Sequence, residues 1–300
     1  MNSLSNEIII EKFKETVKFN YSLKKLNWFN IGGNAKIFFK PQNFEDLINF
    51  IKIYNGKVFI IGAGSNVLLS DNLYEGAIIK LSNSFSKITL FDQSTIIAGC
   101  GALDRSVSEF AMKNNIGGLE FLSGIPGTIG GGIRMNSGCF GGEFKDILIS
   151  VQTINRQGQI KIIPAKNINF NYRSCDLPND LIFLSATFKG IYKEKNEILE
   201  KINEIKKNKK INQPSRIKTG GSTFKNPINK TKKKVWELIK ESTSTNIKFG
   251  DAKISEKHLN FFVNGGNASF EDMKQLINFV KSKVKSKTGV DLELEIILVE

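Results

Sequence analysis

The strongest constraint in this sequence is a glycine-rich segment that runs from Gly124 to Gly142 and contains eight glycines. Glycine loses more backbone entropy on folding than any other residue, so a purely structural loop rarely needs so many. Isoleucines and Met135 alternate with the glycines, and apolar side chains in this pattern favour burial over an exposed flexible loop. We therefore interpret the segment as backbone wrapped closely around a large ligand, with Thr128 and neighbouring amides available to hold a pyrophosphate.

A second glycine motif, Gly62-Ala-Gly-Ser-Asn66, directly follows a short apolar run that is typical of a strand. Its successive amides can form an anion-binding nest. A dinucleotide-binding fingerprint is excluded, because Val67 occupies the third glycine position and the residues after it do not suggest a helix. A P-loop is excluded because no Gly-Lys-Ser/Thr follows. Taken alone, an ordinary turn explains this motif about as well as a phosphate cradle does.

Apolar periodicity predicts an α+β chain, because strand-like and helix-like runs alternate over roughly the first 190 residues without a strict βαβ repeat. Asn43 followed by Asp46 is typical of a helix start. The amphipathic run that begins at Leu103 predicts a second helix, and Gly117 is a candidate for its end. Polar residues at 156–159 between two apolar runs predict a hairpin turn.

The composition of the chain shifts after residue 190, which predicts a separate C-terminal part. The elements predicted there are a lysine-rich helix and linker over 191–219, a helix at 232–241, a strand at 260–264, a long helix capped by Ser269 with Asp272 and stopped by Gly289, and a closing strand over 292–299.

Composition argues against several classes of protein. The net charge of +14 suits nucleic acid or an anionic substrate, but the lysine runs at 206–210 and 230–234 lack the interleaved aromatics of a single-strand binder. Three cysteines without C-x-x-C spacing and a single histidine, His258, predict neither a disulfide framework nor a metal site. No apolar run of about 18 residues occurs and the N-terminus lacks a signal-peptide pattern. We therefore expect a cytoplasmic protein with no nucleic-acid or membrane partner.

Seven motifs follow one another in a fixed order along the chain. They are Trp28-Phe-Asn-Ile-Gly-Gly33, Gly62-Ala-Gly-Ser-Asn66, the stretch 124–142, Tyr172-Arg-Ser174, Gly221-Ser-Thr-Phe-Lys-Asn-Pro227, Ser255-Glu-Lys-His258 and Leu292-Glu-Leu-Glu295. With this series, the chain resembles the UDP-N-acetylenolpyruvoylglucosamine reductases from about residue 25 to the end. The first two glycine motifs are shared with other flavoproteins of the vanillyl-alcohol oxidase type, whereas the motif at 221–227 is specific to the reductases.

The resemblance implies an α+β fold with an FAD-binding part of the vanillyl-alcohol oxidase (PCMH) type in two subdomains, plus a C-terminal α+β substrate-binding domain. It also implies the shorter class of the family, without a tyrosine-bearing insertion, because a predicted strand begins within eight residues of Arg173. The implied boundaries are 1–26 for an N-terminal extension, 27–192 for the FAD-binding domain, 193–219 for a basic helix and linker, and 220–300 for the substrate-binding domain, whose terminal strand returns to the active site.

The implied reaction is the NADPH-dependent reduction of UDP-N-acetylglucosamine enolpyruvate to UDP-N-acetylmuramate by a monomer with FAD and NADPH as cofactors, in peptidoglycan precursor synthesis. Ser222 matches the family's proton donor and Arg173 matches the arginine that can stabilise the substrate carboxylate. Glu295 matches the acidic residue near the C-terminus. Because Glu293 lies two residues earlier on the same predicted strand face, only motif alignment separates the two glutamates.

The resemblance also implies two sets of ligand-binding residues. For the substrate these are Lys225 and Asn226. For the cofactor they are Gly62, Ala63, Gly64, Ser65, Asn66, Gly124, Ile125, Pro126, Gly127, Thr128, Gly130, Gly131 and Asn136.

Two alternatives from other classes stay open at this stage. A different flavoenzyme, such as an alcohol or sugar oxidase with the same FAD domain, would give Ser222 no role and often carries a covalent flavin. A basic, non-enzymatic binding protein would leave the glycines of 124–142 unexplained.

Overall fold

The computed structural model describes residues 11–300, and contacts divide the chain into two compact units that alternate along the sequence. Unit 1 contains the residues up to Asn20 together with Lys36–Ala63 and Glu75–Lys209. Unit 2 contains Tyr21–Ala35, Gly64–Tyr74 and Lys210–Glu300. The expectation about a signal peptide, and residues 1–10 of the predicted N-terminal extension, lie outside the described residues.

Short strands and a few α-helices make up both units. The strands are β1 (Val17–Ser22), β2 (Asn34–Phe39), β3 (Lys57–Ile60), β4 (Val67–Leu69), β5 (Tyr74–Ile79), β6 (Ile88–Leu90), β7 (Thr95–Gly99), β8 (Ile116–Gly117), β9 (Gly138–Cys139), β10 (Gly142–Glu143), β11 (Leu148–Ile154), β12 (Ile160–Pro164), β13 (Phe170–Asn171), β14 (Ser174–Cys175), β15 (Ile182–Lys189), β16 (Ile191–Tyr192), β17 (Lys248–Phe249), β18 (Ala252–Ile254), β19 (Phe262–Asn264) and β20 (Ile297–Val299). The α-helices are α1 (Phe44–Ile53), α2 (Asp104–Lys113), α3 (Ile129–Arg134), α4 (Phe144–Ile147), α5 (Lys195–Asn212), α6 (Val235–Ser242) and α7 (Phe270–Thr288).

Unit 1 is built on two sheets, each with its own apolar core. The first has the strand order β1–β2–β5–β3, and α1 packs on it through Phe50, whose ring stacks on that of Phe39 with centroids 4.0 Å apart. The second is antiparallel throughout, in the order β12–β11–β15–β7–β6, and it shares its core with α2 and α3. Residues 155–159 join β11 to β12, with Gly158 at a φ of 76°, so the predicted hairpin is confirmed.

Unit 2 has one apolar core, formed by α6, α7, the antiparallel sheet β17–β18–β19 and the segment around Phe224. The C-terminal strand β20 pairs in parallel with β4, with Ile297 opposite Val67. Since β4 begins directly after the Gly62–Asn66 motif, the end of the chain lies beside that motif.

Helix ends follow the capping signals of the sequence in three of four cases. The side chain of Asn43 accepts the N–H of Asp46 at 2.9 Å, and Ser269 and Asp272 form a capping box at the start of α7. Gly289 ends α7 in the left-handed conformation, with φ at 73°. The prediction that Gly117 ends α2 is wrong: the helix stops at Lys113, and Asn115 takes the left-handed conformation with φ at 57°.

The lysine-rich segment forms α5, as the apolar spacing predicted. Ile198, Ile202 and Ile205 are buried along one face of this helix. Most of its lysines are exposed, but Lys209 is half-buried and donates to the carbonyl oxygen of Gly124 at 2.8 Å. Within residues 11–300, none of the helices combines the length and the apolar character that crossing a membrane requires.

Asp104 is an ionisable residue in the buried interior of unit 1. It lies in the first turn of α2 and is fully buried, and neither carboxyl oxygen has a hydrogen-bond partner in the described structure. Burial raises the pKa of Asp104 well above its ordinary value, because an ionised carboxylate there would lose its hydration without compensation.

We expect Asp104→Asn to stabilise the protein increasingly as the pH rises. The unfolded chain ionises Asp104 near pH 4, whereas the folded state keeps it protonated, so the wild type loses up to about 1.4 kcal/mol per pH unit between its unfolded and folded pKa values. Urea unfolding of both proteins from pH 4 to pH 8 measures this loss. A difference in unfolding free energy that stays constant across that range would show that the carboxyl titrates normally.

Candidate active site

In unit 1, Gly62 and the glycine-rich segment approach each other closely. A Cβ atom at Gly62 would stand 2.4 Å from the Thr128 Oγ1 atom, so only glycine fits there. Thr128 is extended and precedes α3, in which Gly131 has room for a Cβ atom with its nearest neighbour, Thr128 Oγ1, at 3.6 Å. The space beside Thr128 and Gly131 is therefore open to backbone contact with a ligand.

Most other glycines of this segment are required by the protein's own packing. A Cβ atom would stand 2.5 Å from the Asp104 Oδ2 atom at Gly127, and 3.2 Å from the Cys100 carbonyl oxygen at Gly130. At Gly132 it would stand 2.2 Å from the Phe144 ring. The expectation that the density of glycine reflects a ligand alone is thus too broad, because α3 and its neighbours need these glycines to pack. The roles of Gly127 and Gly130 as cofactor ligands stay predictions.

Gly64 shows the same pattern in unit 2. Its φ is 70°, and a Cβ atom there would lie 2.0 Å from the Leu26 carbonyl oxygen. The carbonyl oxygen of Gly64 accepts the N–H of Trp28 at 2.9 Å. The Trp28–Gly33 and Gly62–Asn66 motifs are therefore adjacent at this point.

Asn66 links its motif to the predicted acidic residue in unit 2. Its Nδ2 atom donates to the carbonyl oxygen of Glu295 at 2.9 Å, and its own carbonyl oxygen accepts the N–H of Ile297 at 2.9 Å. These two bonds extend the β4–β20 pairing and fix the backbone at Glu295.

Asn136 was predicted as a cofactor ligand, but its side chain is occupied within unit 1. It is fully buried, and its Nδ2 atom donates to Glu143 Oε2 at 2.7 Å and to the carbonyl oxygen of Asn171 at 3.1 Å. Its Oδ1 atom accepts the N–H of Lys145 at 3.0 Å. The amide therefore joins the glycine-rich segment to the hairpin that carries Arg173.

Arg173 lies at the turn between β13 and β14 with φ at 59°, a conformation that is uncommon for residues other than glycine. Its guanidinium group donates to the carbonyl oxygen of Gly138 at 2.9 Å and lies over the Tyr172 ring, 4.8 Å from its centroid. Residues 176–181 alone separate β14 from β15, so there is no room for an inserted domain at this position.

Ser222 and Glu295 are held on neighbouring segments of unit 2. Ser222 forms a bridge with Phe261, and Phe224 forms one with Leu294. The N–H of Glu295 donates to the carbonyl oxygen of Thr223 at 2.9 Å, and the nitrogen of Ile296 lies 3.5 Å from the same oxygen. Two successive N–H groups on one carbonyl are the pattern of a β-bulge, a feature that redirects side chains beside active sites.

The structure places Glu293 and Glu295 in different environments, a difference that the sequence alone did not reveal. The expected strand over 292–299 is wrong in extent, because regular pairing begins only at Ile297 and a bulge-like kink precedes it. Glu293 is exposed and pairs with Lys230 at 3.0 Å, and this hydrogen bond lowers the pKa of Glu293. Glu295 is half-buried beside the Ser222 segment.

The two predicted substrate ligands, Lys225 and Asn226, are both held by hydrogen bonds within unit 2. Lys225 donates its backbone N–H to the Glu293 carbonyl oxygen at 2.8 Å. The Oδ1 atom of Asn226 accepts the N–H of Val235 at 3.1 Å and so caps the start of α6. The structure therefore gives Asn226 a structural function that the sequence did not suggest.

Comparisons with known proteins agree across the whole chain. A sequence model of the FAD binding domain matches residues 35–163, and one of the C-terminal domain of UDP-N-acetylenolpyruvoylglucosamine reductase matches residues 213–299. The reductase of that name from Pelagibacter ubique (strain HTCC1062) is 55% identical over 99% of this chain and 97% of its own length. The one from Rickettsia bellii (strain RML369-C) is 44% identical over 92% of this chain and 91% of its own.

The chain belongs to the UDP-N-acetylenolpyruvoylglucosamine reductase family. The crystal structure of the reductase from Thermus caldophilus superposes with a TM-score of 0.81 at 29% identity, covering 95% of this chain and 98% of that one. The expected fold, an FAD-binding part plus a C-terminal reductase domain, is confirmed. As an FAD-dependent oxidoreductase of this family, the chain is neither a non-enzymatic binding protein nor an unrelated flavin oxidase.

The residues of this reductase fit the cofactor that the family implies. The open side of Gly131 leaves backbone accessible beside Thr128, as a bulky pyrophosphate or ring system needs, and Gly62 allows its segment to approach Thr128 closely. In the described residues, no cluster of three or more His, Cys, Asp or Glu side chains is placed to hold a metal ion.

Sequence reasoning missed one residue that bonds the segment after Ser222, Asn260. Its side chain and carbonyl oxygen bond the backbone directly after Ser222, although no motif or spacing distinguishes this asparagine from its neighbours. His258, left open by the sequence, packs against Phe261 with ring centroids 4.7 Å apart and accepts the N–H of Asn260 on Nδ1 at 3.3 Å. Burial lowers the pKa of His258 and so favours the neutral ring, the form whose nitrogen can accept this hydrogen bond.

We expect Gly131→Ala to weaken FAD binding by on the order of 10-fold without destabilising the apoprotein, since alanine favours a helix and meets no protein atom closer than 3.6 Å. Gly132→Ala is the matched control, because its Cβ atom would overlap the Phe144 ring and lower the unfolding free energy by about 1–3 kcal/mol. Flavin fluorescence titration and urea unfolding measure the two effects. Unchanged FAD affinity in Gly131→Ala would show that this backbone does not face the flavin.

Proposed function

We propose that this protein reduces UDP-N-acetylglucosamine enolpyruvate to UDP-N-acetylmuramate with NADPH as the reductant and Ser222 as the proton donor. The observation that carries the proposal is the arrangement in unit 2, where Ser222 lies on a segment bonded directly to the backbone at Glu295, in a chain that also contains an FAD-binding domain. When bound, FAD accepts a hydride from NADPH and supplies it to the terminal vinyl carbon of the substrate.

Ser222 has to deliver a proton as the double bond is reduced. Hydride addition at the vinyl carbon places negative charge on the neighbouring carbon and its carboxylate, and that carbon must then be protonated. A serine hydroxyl is a weak acid, so it serves only when it is held against a strongly basic centre in a closed site. The bonds of Thr223 and Phe224 to neighbouring segments fix the backbone that carries this hydroxyl.

Arg173 is proposed to stabilise the substrate carboxylate while it gains charge. A guanidinium group offers two parallel N–H donors that match a carboxylate, and one of the Arg173 nitrogens already donates to the Gly138 carbonyl oxygen. This bond and the Asn136–Asn171 bond limit the positions that the guanidinium group can reach. Less reorganisation is then needed when the charge develops.

Glu295 is proposed to orient the proton-donating hydroxyl or a water molecule beside it. Its backbone is fixed on one side by Thr223 and on the other by Asn66. Lys225, on the same segment as Ser222, offers a cation for the phosphates or carboxylate of the substrate.

We also propose the domain roles that follow from the reaction, with residues 27–192 binding FAD, residues 193–219 linking the two domains, and residues 220–300 binding the UDP-sugar.

Because NADPH and nucleotide sugars are cytoplasmic metabolites, the proposed enzyme acts in the cytoplasm. We propose that it does so as a monomer without nucleic-acid or membrane partners. In support, the lysines of α5 line the solvent-facing side of a helix whose isoleucines are buried.

The proposal is tested by following flavin absorbance anaerobically in two steps. NADPH should reduce the bound flavin equally in the wild type and in Ser222→Ala, because the hydride step needs no acid. Addition of the enolpyruvyl sugar should reoxidise the wild-type flavin, and Ser222→Ala should do so slower by at least about 100-fold. Equal reoxidation by both proteins would remove Ser222 as the acid, and a reduced wild-type flavin that the sugar never reoxidises would refute the proposed substrate.

The two glutamates are separated by the same assay. We expect Glu295→Gln to slow reoxidation by about 100-fold or more, because an oriented charged group near the reacting atoms is lost. Glu293→Gln should change it by less than about fivefold, since an exposed ion pair contributes about 0–1 kcal/mol. The reverse ranking would assign the acidic role to Glu293.

A further inference from the structure

The segment that carries Ser222 has no regular secondary structure to hold it in place. Residues 220–225 lie outside helices and strands, and Gly221 adopts a φ of 79°. Backbone N–H and C=O groups in such a segment need other partners when they are buried. Thr223 and Phe224 are both fully buried, so the partners of their backbone groups determine where Ser222 is held.

Asn260 supplies those partners from one side. Its Oδ1 atom accepts the N–H of Phe224 at 3.0 Å, and its Nδ2 atom donates to the carbonyl oxygen of Phe224 at 2.8 Å. Its own carbonyl oxygen accepts the N–H of Thr223 at 2.7 Å. One buried residue, 3% exposed, thus bonds three of the four backbone groups of Thr223 and Phe224, two through its side chain and one through its own carbonyl oxygen.

The position of Asn260 is itself fixed by its neighbours. His258 accepts the backbone N–H of Asn260 on Nδ1, and Phe261 forms a bridge with Ser222. On the opposite side of the segment, the N–H of Glu295 donates to the carbonyl oxygen of Thr223. The Ser222 segment is therefore held by hydrogen bonds to Asn260 and to the backbone at Glu295.

We propose that Asn260 is a positioning residue whose side chain holds the Ser222 hydroxyl in line for proton transfer through its two hydrogen bonds to the backbone of Phe224. The proposal rests on the proposed function, because it takes Ser222 as the proton donor. Asn260 does not touch the substrate; it acts on the backbone that presents Ser222. Misplacement of a reacting group by about 1 Å costs on the order of 100-fold in rate, so loss of these hydrogen bonds should slow the proton-dependent step specifically.

A matched control exists four residues further along the chain. Asn264 is 4% exposed and bonds three backbone groups with its side chain, one more than the side chain of Asn260: the carbonyl oxygen of Phe29 at 2.9 Å and the N–H groups of Gly266 and Ala268 at 3.0 Å each. Neither of its side-chain atoms bonds the Ser222 segment in these contacts. Asn264→Ala therefore removes a similar number of buried hydrogen bonds from unit 2 without releasing Ser222.

The test compares Asn260→Ala, Asn264→Ala and Ser222→Ala as FAD-loaded enzymes in anaerobic stopped-flow. For Asn260→Ala we expect FAD content and reduction by NADPH within about threefold of wild type, but reoxidation by UDP-N-acetylglucosamine enolpyruvate slower on the order of 100-fold. The ratio of reoxidation rates in H₂O and D₂O should rise, because proton transfer becomes more rate-limiting. Asn264→Ala should retain near wild-type reoxidation and an unchanged isotope effect.

Asn260→Asp keeps the proposal testable if the alanine variant does not fold. The isosteric carboxylate retains an acceptor for the Phe224 N–H but loses the donor to the Phe224 carbonyl oxygen, and protonation restores that donor. We expect its reoxidation rate, relative to wild type at the same pH, to rise as the pH falls.

The outcomes separate this proposal from the function on which it rests. If the flavin of Ser222→Ala is reoxidised at the wild-type rate, Ser222 is not the proton donor, and the proposed function is refuted at that point. If Ser222→Ala is slow but Asn260→Ala is no slower than Asn264→Ala, or shows an unchanged isotope effect, Asn260 is only a structural residue and the positioning role is refuted. A ratio for Asn260→Asp that is independent of pH would refute it as well.

Discussion

The site of this reductase depends on one constraint: the segments that carry its predicted active residues are irregular, yet their backbone groups are buried and need hydrogen-bond partners. Asparagine side chains meet this need at three places. Asn66 bonds the carbonyl oxygen of Glu295, Asn136 bonds that of Asn171 beside Arg173, and Asn260 bonds both backbone groups of Phe224. An amide suits this task because it both donates and accepts, as a peptide group does, without adding a charge. Each of the three predicted catalytic positions is thus fixed by a side chain that carries no chemistry of its own.

Glycine complements the asparagines by permitting close approach. At Gly64, Gly127 and Gly132 the nearest atoms belong to the protein, and a Cβ atom would overlap a carbonyl oxygen, a carboxylate and an aromatic ring respectively. At Gly131 the space is open. The same residue type therefore serves two purposes in adjacent turns, tight internal packing and access for a ligand. The glycine-rich segment also contains the short helix α3, whereas the sequence suggested only backbone wrapped around a ligand.

Local signals in the sequence predicted local structure well, and long-range bonds account for what it missed. The caps at Asn43, Ser269 and Gly289 depend on residues within one turn, so they were visible in the sequence. The early end of α2 at Lys113, and the loss of regular strand before Ile297, depend on contacts with distant residues. The catalytic candidates came from motif resemblance, whereas the function of Asn260 follows from bonds to Phe224 across 36 positions, which no spacing rule detects.

A crystal structure of the FAD-loaded enzyme, at a resolution that orients amide side chains, tests whether asparagines hold the predicted active residues and glycines give the cofactor access to the backbone. We expect flavin atoms in van der Waals contact with the backbone at Gly62 and Gly131. We also expect Asn66, Asn136 and Asn260 to keep the hydrogen bonds described above. An Asn136 side chain that leaves Asn171 to bind the flavin, or a flavin that does not contact Gly131, would contradict these expectations.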